Sequence, residues 1–288
     1  MTSVLKVIDM ELALQEKIPD IYKKIPGVLI RLMEKVIRQD DMNRMIHESS
    51  HLNGIPLVDW VLDQFGVNIV VKGKKLIPKK GRYIYPANHP IGGLDGLAIV
   101  SVVAKIHPLI KFVANDLLRV IKGFDSISLY IARFGQINRR NAILINKTLA
   151  SEAQLLVQPA GTVSKRNPVK ISDLAWNKFF IHKAIQYKRD VIPVHVQARN
   201  SRLFYNIASF RKIFRIKANL EMFLLPREMF NKSGKTITIT FGIPIAYKTF
   251  DDSLTHLEWA QKVREYVYVL GSEKFSSANT IPAFSEVL

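Results

Sequence analysis

Up to about Phe65 the apolar positions recur every three or four residues: Val28-Leu29-Ile30, Leu32-Met33, Val36-Ile37 and Met45-Ile46. That spacing predicts helix. Lys23, Lys24, Arg31, Lys35, Arg38 and Arg44 fall between them, so the helix predicted over Val28–Ile46 is apolar and basic by turns. A short helix is predicted after Pro56, through Val58, Val61, Leu62 and Phe65. Beyond Phe65 the pattern changes to short β-branched and aromatic runs, predicting strands at Val67–Lys72, Arg82–Ala87, Ile110–Ala114, Gln154–Gln158, Val191–Gln197, Leu220–Leu225 and Ile237–Phe241. Helical patterns separate them at Leu94–Ile106, Asn141–Ala150, Leu174–Tyr187, Leu203–Phe214 and Leu254–Leu270. Asp252-Ser253 is the expected start signal of the last helix and Gly271 its stop. Strands alternating with helices imply an α/β fold, a mostly parallel or mixed central sheet flanked by helices. Three parts are expected: an N-terminal helical segment over 1–65, an α/β domain over 66–271, and a polar, proline-interrupted tail over 272–288.

Composition narrows the chemistry. A chain of 288 residues that is 48% hydrophobic can fill a full core. It contains no cysteine, which removes disulfides, thiolate nucleophiles and cysteine metal sites. The formal net charge of +18 attracts polyanions, among them nucleic acid, anionic lipid headgroups, phosphorylated substrates and acidic carrier proteins. Asp9, Glu11 and Glu16 interrupt any secretory apolar region. No run reaches the roughly 18 apolar residues of a membrane span; the nearest, Leu97–Ala104, ends at Lys105. Membrane contact is therefore expected to be peripheral.

Three segments carry chemistry. In Asn88-His89-Pro90-Ile91-Gly92-Gly93-Leu94-Asp95 a histidine follows a strand, which places it where open α/β sheets bind ligands. A neutral imidazole there can take a proton from a hydroxyl. Asp95 can orient the ring, while Gly92 and Gly93 bring backbone amides close enough to serve an oxyanion. The plainer alternative is a loop histidine with Asp95 capping a helix. In Gly135-Gln136-Ile137-Asn138-Arg139-Arg140 two guanidinium groups meet a helix start, a phosphate or carboxylate site or else a solvated basic turn. In Pro159-Ala160-Gly161-Thr162-Val163-Ser164-Lys165-Arg166 backbone amides, Thr162, Ser164, Lys165 and Arg166 can line an anion site, or simply form a connecting loop. His182 and His195, on a predicted helix and strand, read as packing or hydrogen-bonding residues rather than ligands. His47 and His51 stand four apart without an evident third ligand, so no metal is expected.

Taken in order with Ile192-Pro193-Val194, these segments resemble the glycerolipid acyltransferase family, the PlsC-type, lysophosphatidate acyltransferase-like enzymes. The resemblance covers Asn88 to Val194. It implies a glycerol-3-phosphate acyltransferase-like fold, with 66–271 as the catalytic domain. It implies His89 as general base with Asp95 its partner, and Gly135, Ile137 and Arg139 at the acceptor site. By the same match Pro159, Gly161, Thr162 and Ser164 belong to the third motif's loop. Five residues separate His89 from Asp95 where the family usually has four, and Gly92-Gly93 is expected to absorb the extra one. Ala160 stands where the family usually has glutamate. Pro-Ala-Gly followed by serine and basic residues is similar to the hemolysin-like branch, which includes acyltransferases of amino-acid-derived lipids such as ornithine lipids. Asn200–Tyr205 and Leu224–Phe230 resemble that branch too.

The resulting expectation is an acyltransferase at the inner face of the cell membrane, cytoplasmic and peripheral. It would move a fatty acyl group from acyl carrier protein or coenzyme A to the hydroxyl or amine of a lipid precursor, with no bound cofactor. Direct transfer is expected, since neither cysteine nor a Gly-x-Ser-x-Gly elbow is present. The partners expected are an anionic membrane surface, a lipid acceptor and an acyl carrier protein. Nucleic acid is not among them: the positive residues are dispersed and no recognised binding motif occurs. A non-catalytic basic protein that binds nucleic acid or lipid is the rival reading.

Overall fold

The computed structural model describes residues 6–17, 19–131, 139–167, 169–214, 219–272 and 281–287. Five helices come first: α1 (Met10–Lys17), α2 (Pro19–Tyr22), α3 (Gly27–Ile37), α4 (Gln39–Glu48) and α5 (Ile55–Gln64). The helix expected over Val28–Ile46 is two helices. Arg38 has φ 58°, a left-handed conformation that ends α3 and re-aims the chain into α4. Gln39 and Asn43 then turn inward and take the free amides of Met10, Val7 and Ile8, tying α4 to the start of the chain.

Alternation follows: β1 (Asn68–Lys72), β2 (Tyr83–Pro86), α6 (Gly93–Ala104), β3 (Ile110–Asn115), β4 (Ser128–Ile131), α7 (Arg139–Ala150), β5 (Gln154–Val157), β6 (Lys165–Arg166), β7 (Ile171–Ser172), α8 (Phe179–Tyr187), β8 (Asp190–Val191), β9 (Val194–Gln197), α9 (Arg202–Ile213), α10 (Leu225–Phe230), β10 (Thr236–Phe241) and α11 (His256–Leu270). The main sheet is wholly parallel, in the order β4-β3-β5-β2-β8. A second sheet, β1-β10-β9, is mixed, and β6 pairs with β7 as a small antiparallel ribbon. The two larger sheets meet where Ala87 bridges Val194, one residue past β2. Ile192 and Pro193 divide the predicted strand Val191–Gln197 into β8, which serves the parallel sheet, and β9, which serves the mixed one.

Successive side chains of a strand face opposite ways. Thus Tyr85 joins the core beneath α5, α6 and the mixed sheet, while Ile84 joins the core shared with α7, α8 and α11. Both residues are fully buried, as expected for parallel strands covered on two sides.

Three expectations need correction. Leu220–Leu225 is not a strand. Residues Leu220–Leu224 form a 3-10 turn that runs into α10, and Pro226 sits in the first helical turn, where its missing N–H costs nothing. The segment Leu174–Asn177 is irregular, and α8 starts at Phe179. The cap of α11 is Thr255 rather than Asp252-Ser253: its hydroxyl accepts from the Glu258 amide while the Glu258 carboxylate accepts from the Thr255 amide. At the end of the chain Phe284 is buried against Trp259 and Tyr266, and the Tyr266 hydroxyl donates to the Pro282 carbonyl.

Candidate active site

In a parallel sheet the segments that follow the strands all leave from one edge. Those after β2 (Ala87–Gly92), β5 (Gln158–Ser164) and β8 (Ile192) therefore share an edge. His89 lies three residues past β2, where the two sheets part. Asn88 fastens that point: its side chain donates to the Val196 carbonyl (2.9 Å) and accepts from the Val196 amide (2.6 Å), replacing a strand pairing.

The ring of His89 is turned back onto α6. Its Nδ1 lies 3.0 and 3.1 Å from the two carboxylate oxygens of Asp95. Asp95 is fully buried in the first turn of α6. A bare carboxylate there would be costly, but this one also accepts from the Ile91 amide (3.0 Å), the Gly96 amide (2.7 Å) and Gln158 Nε2 (2.8 Å). The amide bonds make Asp95 a helix-start acceptor as well as the partner of the ring, so the two readings of its role coexist. The five intervening residues fit because Gly92 takes φ 90°, ψ −137°, a conformation reserved for glycine.

With Nδ1 facing Asp95, the other ring nitrogen, Nε2, has no hydrogen-bond partner among the described residues. The His89 side chain keeps 18% of its surface exposed. Burial disfavours its charged form, but the charge and hydrogen bond of Asp95 and the charge of Asp173 outweigh that, so its pKa stands above the usual imidazole value. The ring is thus a strengthened base held in one orientation.

The remaining sequence-derived candidates are distributed unevenly. Gly92 and Gly93 pack against α10: a Cβ on Gly92 would lie 3.3 Å from Leu225 Cδ2, and one on Gly93 would lie 3.5 Å from Met229 Sδ. Gly161 is exposed with φ 65°, and Thr162 is half-buried beside it. Ser164 is buried, its hydroxyl donating to Asp173 (2.6 Å) and its amide to the His89 carbonyl (2.7 Å). Lys165 and Arg166 form β6. The Arg166 guanidinium lies 5.3 Å from the Tyr205 ring centre and donates to Asn206, which ties it to α9. Arg139 and Arg140 are exposed at the start of α7. β4, the strand before them in the chain, stands three strand positions from β2, roughly 14 Å at about 4.8 Å per strand. Gly135 and Ile137 lie outside the described residues.

Two residues in contact with the pair escaped the sequence reading. Gln158 orients Asp95, and Asp173 accepts from the His89 amide at 3.2 Å. Gln158 adjoins a motif that was in view. Asp173 lies 84 residues from His89 and belongs to no motif, so spacing carries no signal for it. His195 does behave as packing: it is buried beside Tyr268, and burial lowers its pKa to about 4.

A sheet edge that presents an aspartate-held imidazole beside a glycine kink can accept a proton from a hydroxyl during group transfer. The profile of the acyltransferase family matches residues 12–277, and the chain belongs to that family; it is an acyltransferase. Among its relatives is the lyso-glycine lipid O-acyltransferase of Bacteroides thetaiotaomicron, 38% identical over 265 residues and aligned over 92% of this chain and 97% of that protein. The lyso-glycine lipid O-acyltransferase of Phocaeicola vulgatus is 33% identical over 265 residues, covering 92% of this chain and 95% of its own. Among solved structures, the 1-acyl-sn-glycerophosphate acyltransferase PlsC of Thermotoga maritima aligns with a TM-score of 0.47 at 19% identity, over 77% of this chain and 80% of that one.

Proposed function

We propose that this chain transfers a fatty acyl group from a thioester, on acyl carrier protein or coenzyme A, to the hydroxyl of an amino-acid-derived lipid acceptor. The observation that carries the reading is the His89–Asp95 pair, with Nδ1 engaged, Nε2 without a hydrogen-bond partner among the described residues, and the side chain 18% exposed. His89 Nε2 takes the hydroxyl proton as the oxygen attacks the thioester carbonyl, and a C–O bond forms. The tetrahedral oxyanion collapses, the C–S bond breaks, and the proton passes from His89 to the departing thiolate. Amides at the Gly92–Gly93 entry to α6, aided by the positive end of that helix, stabilise the oxyanion. The names of both relatives support an O-acyl product and a glycine-type headgroup. A free headgroup carboxylate suits the cationic rim supplied by Lys165, Arg166, Arg139 and Arg140, and Gly161 and Thr162 line the approach.

The acceptor is a lipid, so the site must meet a membrane. Among the described residues no helix is long and apolar enough to cross one. Attachment to the anionic inner face of the cell membrane is supported instead by exposed apolar side chains on three elements packed together: Val28, Leu29 and Leu32 on α3, Phe223 in the 3-10 turn, and Phe210, Ile213 and Phe214 on or just after α9. The 3-10 turn leads directly into α10, which touches Gly92 and Gly93.

The test is a product assay by mass spectrometry. Purified protein is given acyl carrier protein or coenzyme A thioesters with lyso-glycine lipid, lyso-ornithine lipid or lysophosphatidate. An O-acylated amino-acid lipid is the expected product, and His89→Ala abolishes it while the folded state persists. Turnover on lysophosphatidate alone would overturn the acceptor assignment, and turnover surviving His89→Ala would overturn the base.

A further inference from the structure

We infer that Asp173 is a second carboxylate serving His89, a positioning residue that holds the base from behind and joins it to the loop after β5. The inference rests on the reading of His89 as the base. Asp173 is 3% exposed and spends both carboxylate oxygens. Its Oδ1 accepts from the His89 amide at 3.2 Å and from Ser164 Oγ at 2.6 Å, and its Oδ2 accepts from Trp176 Nε1 at 2.9 Å. The Ser164 amide in turn donates to the His89 carbonyl at 2.7 Å. Both main-chain groups of the base are therefore bonded to one segment, residues Ser164 to Asp173. That segment is itself anchored on α11, because the Asp173 amide donates to the Tyr268 hydroxyl and Arg264 Nη2 donates to the Asp173 carbonyl, each at 2.6 Å.

A neutral acceptor could hold an amide and a hydroxyl in place. A buried carboxylate is a costly way to do so, and burial indeed raises the pKa of Asp173 against the three donors that lower it. The charge has a use that the hydrogen bonds alone do not explain. During transfer His89 becomes an imidazolium, and a fixed anion beside it favours that state. The charged and titratable groups facing this cluster are Asp95 from α6 and, from α11, Arg264 and Tyr268, with Lys170 over the Tyr268 ring. Arg264 spends its guanidinium on the Asp173 carbonyl and the face of Tyr268, not on the Asp173 carboxylate. Two carboxylates thus hold one residue, Asp95 at the ring Nδ1 and Asp173 at the backbone amide.

The test uses the full chain with Asp173→Asn. The imidazole titration of His89 is followed by NMR, its resonance assigned by its absence in His89→Ala, and the pH profile of kcat/KM is recorded alongside. The expected result is a His89 midpoint and an acid limb both moved to lower pH by about half a unit or more. Alongside it, kcat is expected to fall roughly tenfold while the donor KM holds, since a transition-state interaction has been weakened. A midpoint that stays in place overturns the inference even if activity falls, since a structural role alone would give that result. Should asparagine at 173 prevent folding, Ser164→Ala decides: a several-fold lower kcat with both KM values intact supports the latch, and an unchanged kcat overturns it. The titration needs no turnover, so failure here is distinct from failure of the proposed reaction.

Discussion

The imidazole of His89 is tuned by what surrounds its protonated form. Burial pulls its affinity for a proton down, and the Asp95 and Asp173 charges pull harder the other way. On the proposed mechanism the neutral ring is the active base, so activity falls as pH drops through its raised pKa. The acid limb of kcat/KM is therefore expected above the ordinary value of about 6.5. Asp95→Asn removes the larger of the two favourable charges and places an amide where donors already point, from Ile91, Gly96 and Gln158. A loss of about 100-fold or more in kcat is expected, with the acid limb displaced downward. An unaltered limb in that variant would show that Asp95 serves the helix start alone. The linkage sign runs opposite to that of an acid: the raised pKa of His89 stabilises the fold fully below about pH 6.5, and the contribution is lost as pH rises through the folded-state value.

At the scale of elements, the turn into α6 and the crossover after α7 set the geometry. Gly92 combines φ 90° with the close approach of Leu225, so Gly92→Ala is expected to cost about 1–3 kcal/mol in denaturant unfolding and to disturb the His89–Asp95 contact. The end of α7 is held by Arg189, a fully buried guanidinium donating to the carbonyls of Thr148, Leu149, Ser151 and Ala153. Arg189→Leu removes the buried donor from the Leu149, Ser151 and Ala153 carbonyls, while Thr148 keeps the Ser151 amide and hydroxyl, and is expected to cost roughly 3 kcal/mol or more, read as a lower unfolding midpoint. Long periodic segments and strand runs bounded by glycine or proline were legible in the sequence, as β2, β5, β10, α6 and α11 show. The short apolar run Leu220–Leu225 was not, because six residues give too little period to separate a strand from a helical turn. β4 also went unread: Ser128–Ile131 is four residues long, follows a 3-10 turn, and is recognisable only by its pairing with β3. The same limit applies to the site. Residues within a motif could be read from spacing, whereas Asp173 reaches His89 only through the folding of β6 and β7.

Across the whole molecule, charge and exposed apolar surface act together. In the proposed attachment a net charge of +18 would draw the chain toward anionic headgroups, a long-range attraction that salt weakens. Apolar insertion is short-range and insensitive to salt. At the end of α9, Ile213 is 75% exposed and Phe214, one residue past the helix, 61%, with the Phe210 ring centre 4.2 Å from that of Phe214. A surface of this kind facing water is unfavourable, and burying such residues at an interface returns about 1.5–3 kcal/mol for each large side chain. Ile213→Asp with Phe214→Asp is therefore expected to release the protein from phosphatidylglycerol vesicles in a sedimentation assay. Thermal stability is expected to be unchanged, because neither residue is part of the packed core. Turnover should fall on acceptor presented in bilayers but persist on acceptor dispersed in detergent, since neither substitution touches His89. Raised salt should weaken binding of the native chain only in part, leaving the apolar share. Loss of all binding in high salt, with full binding by the double variant in low salt, would mean that charge alone holds the enzyme at the membrane.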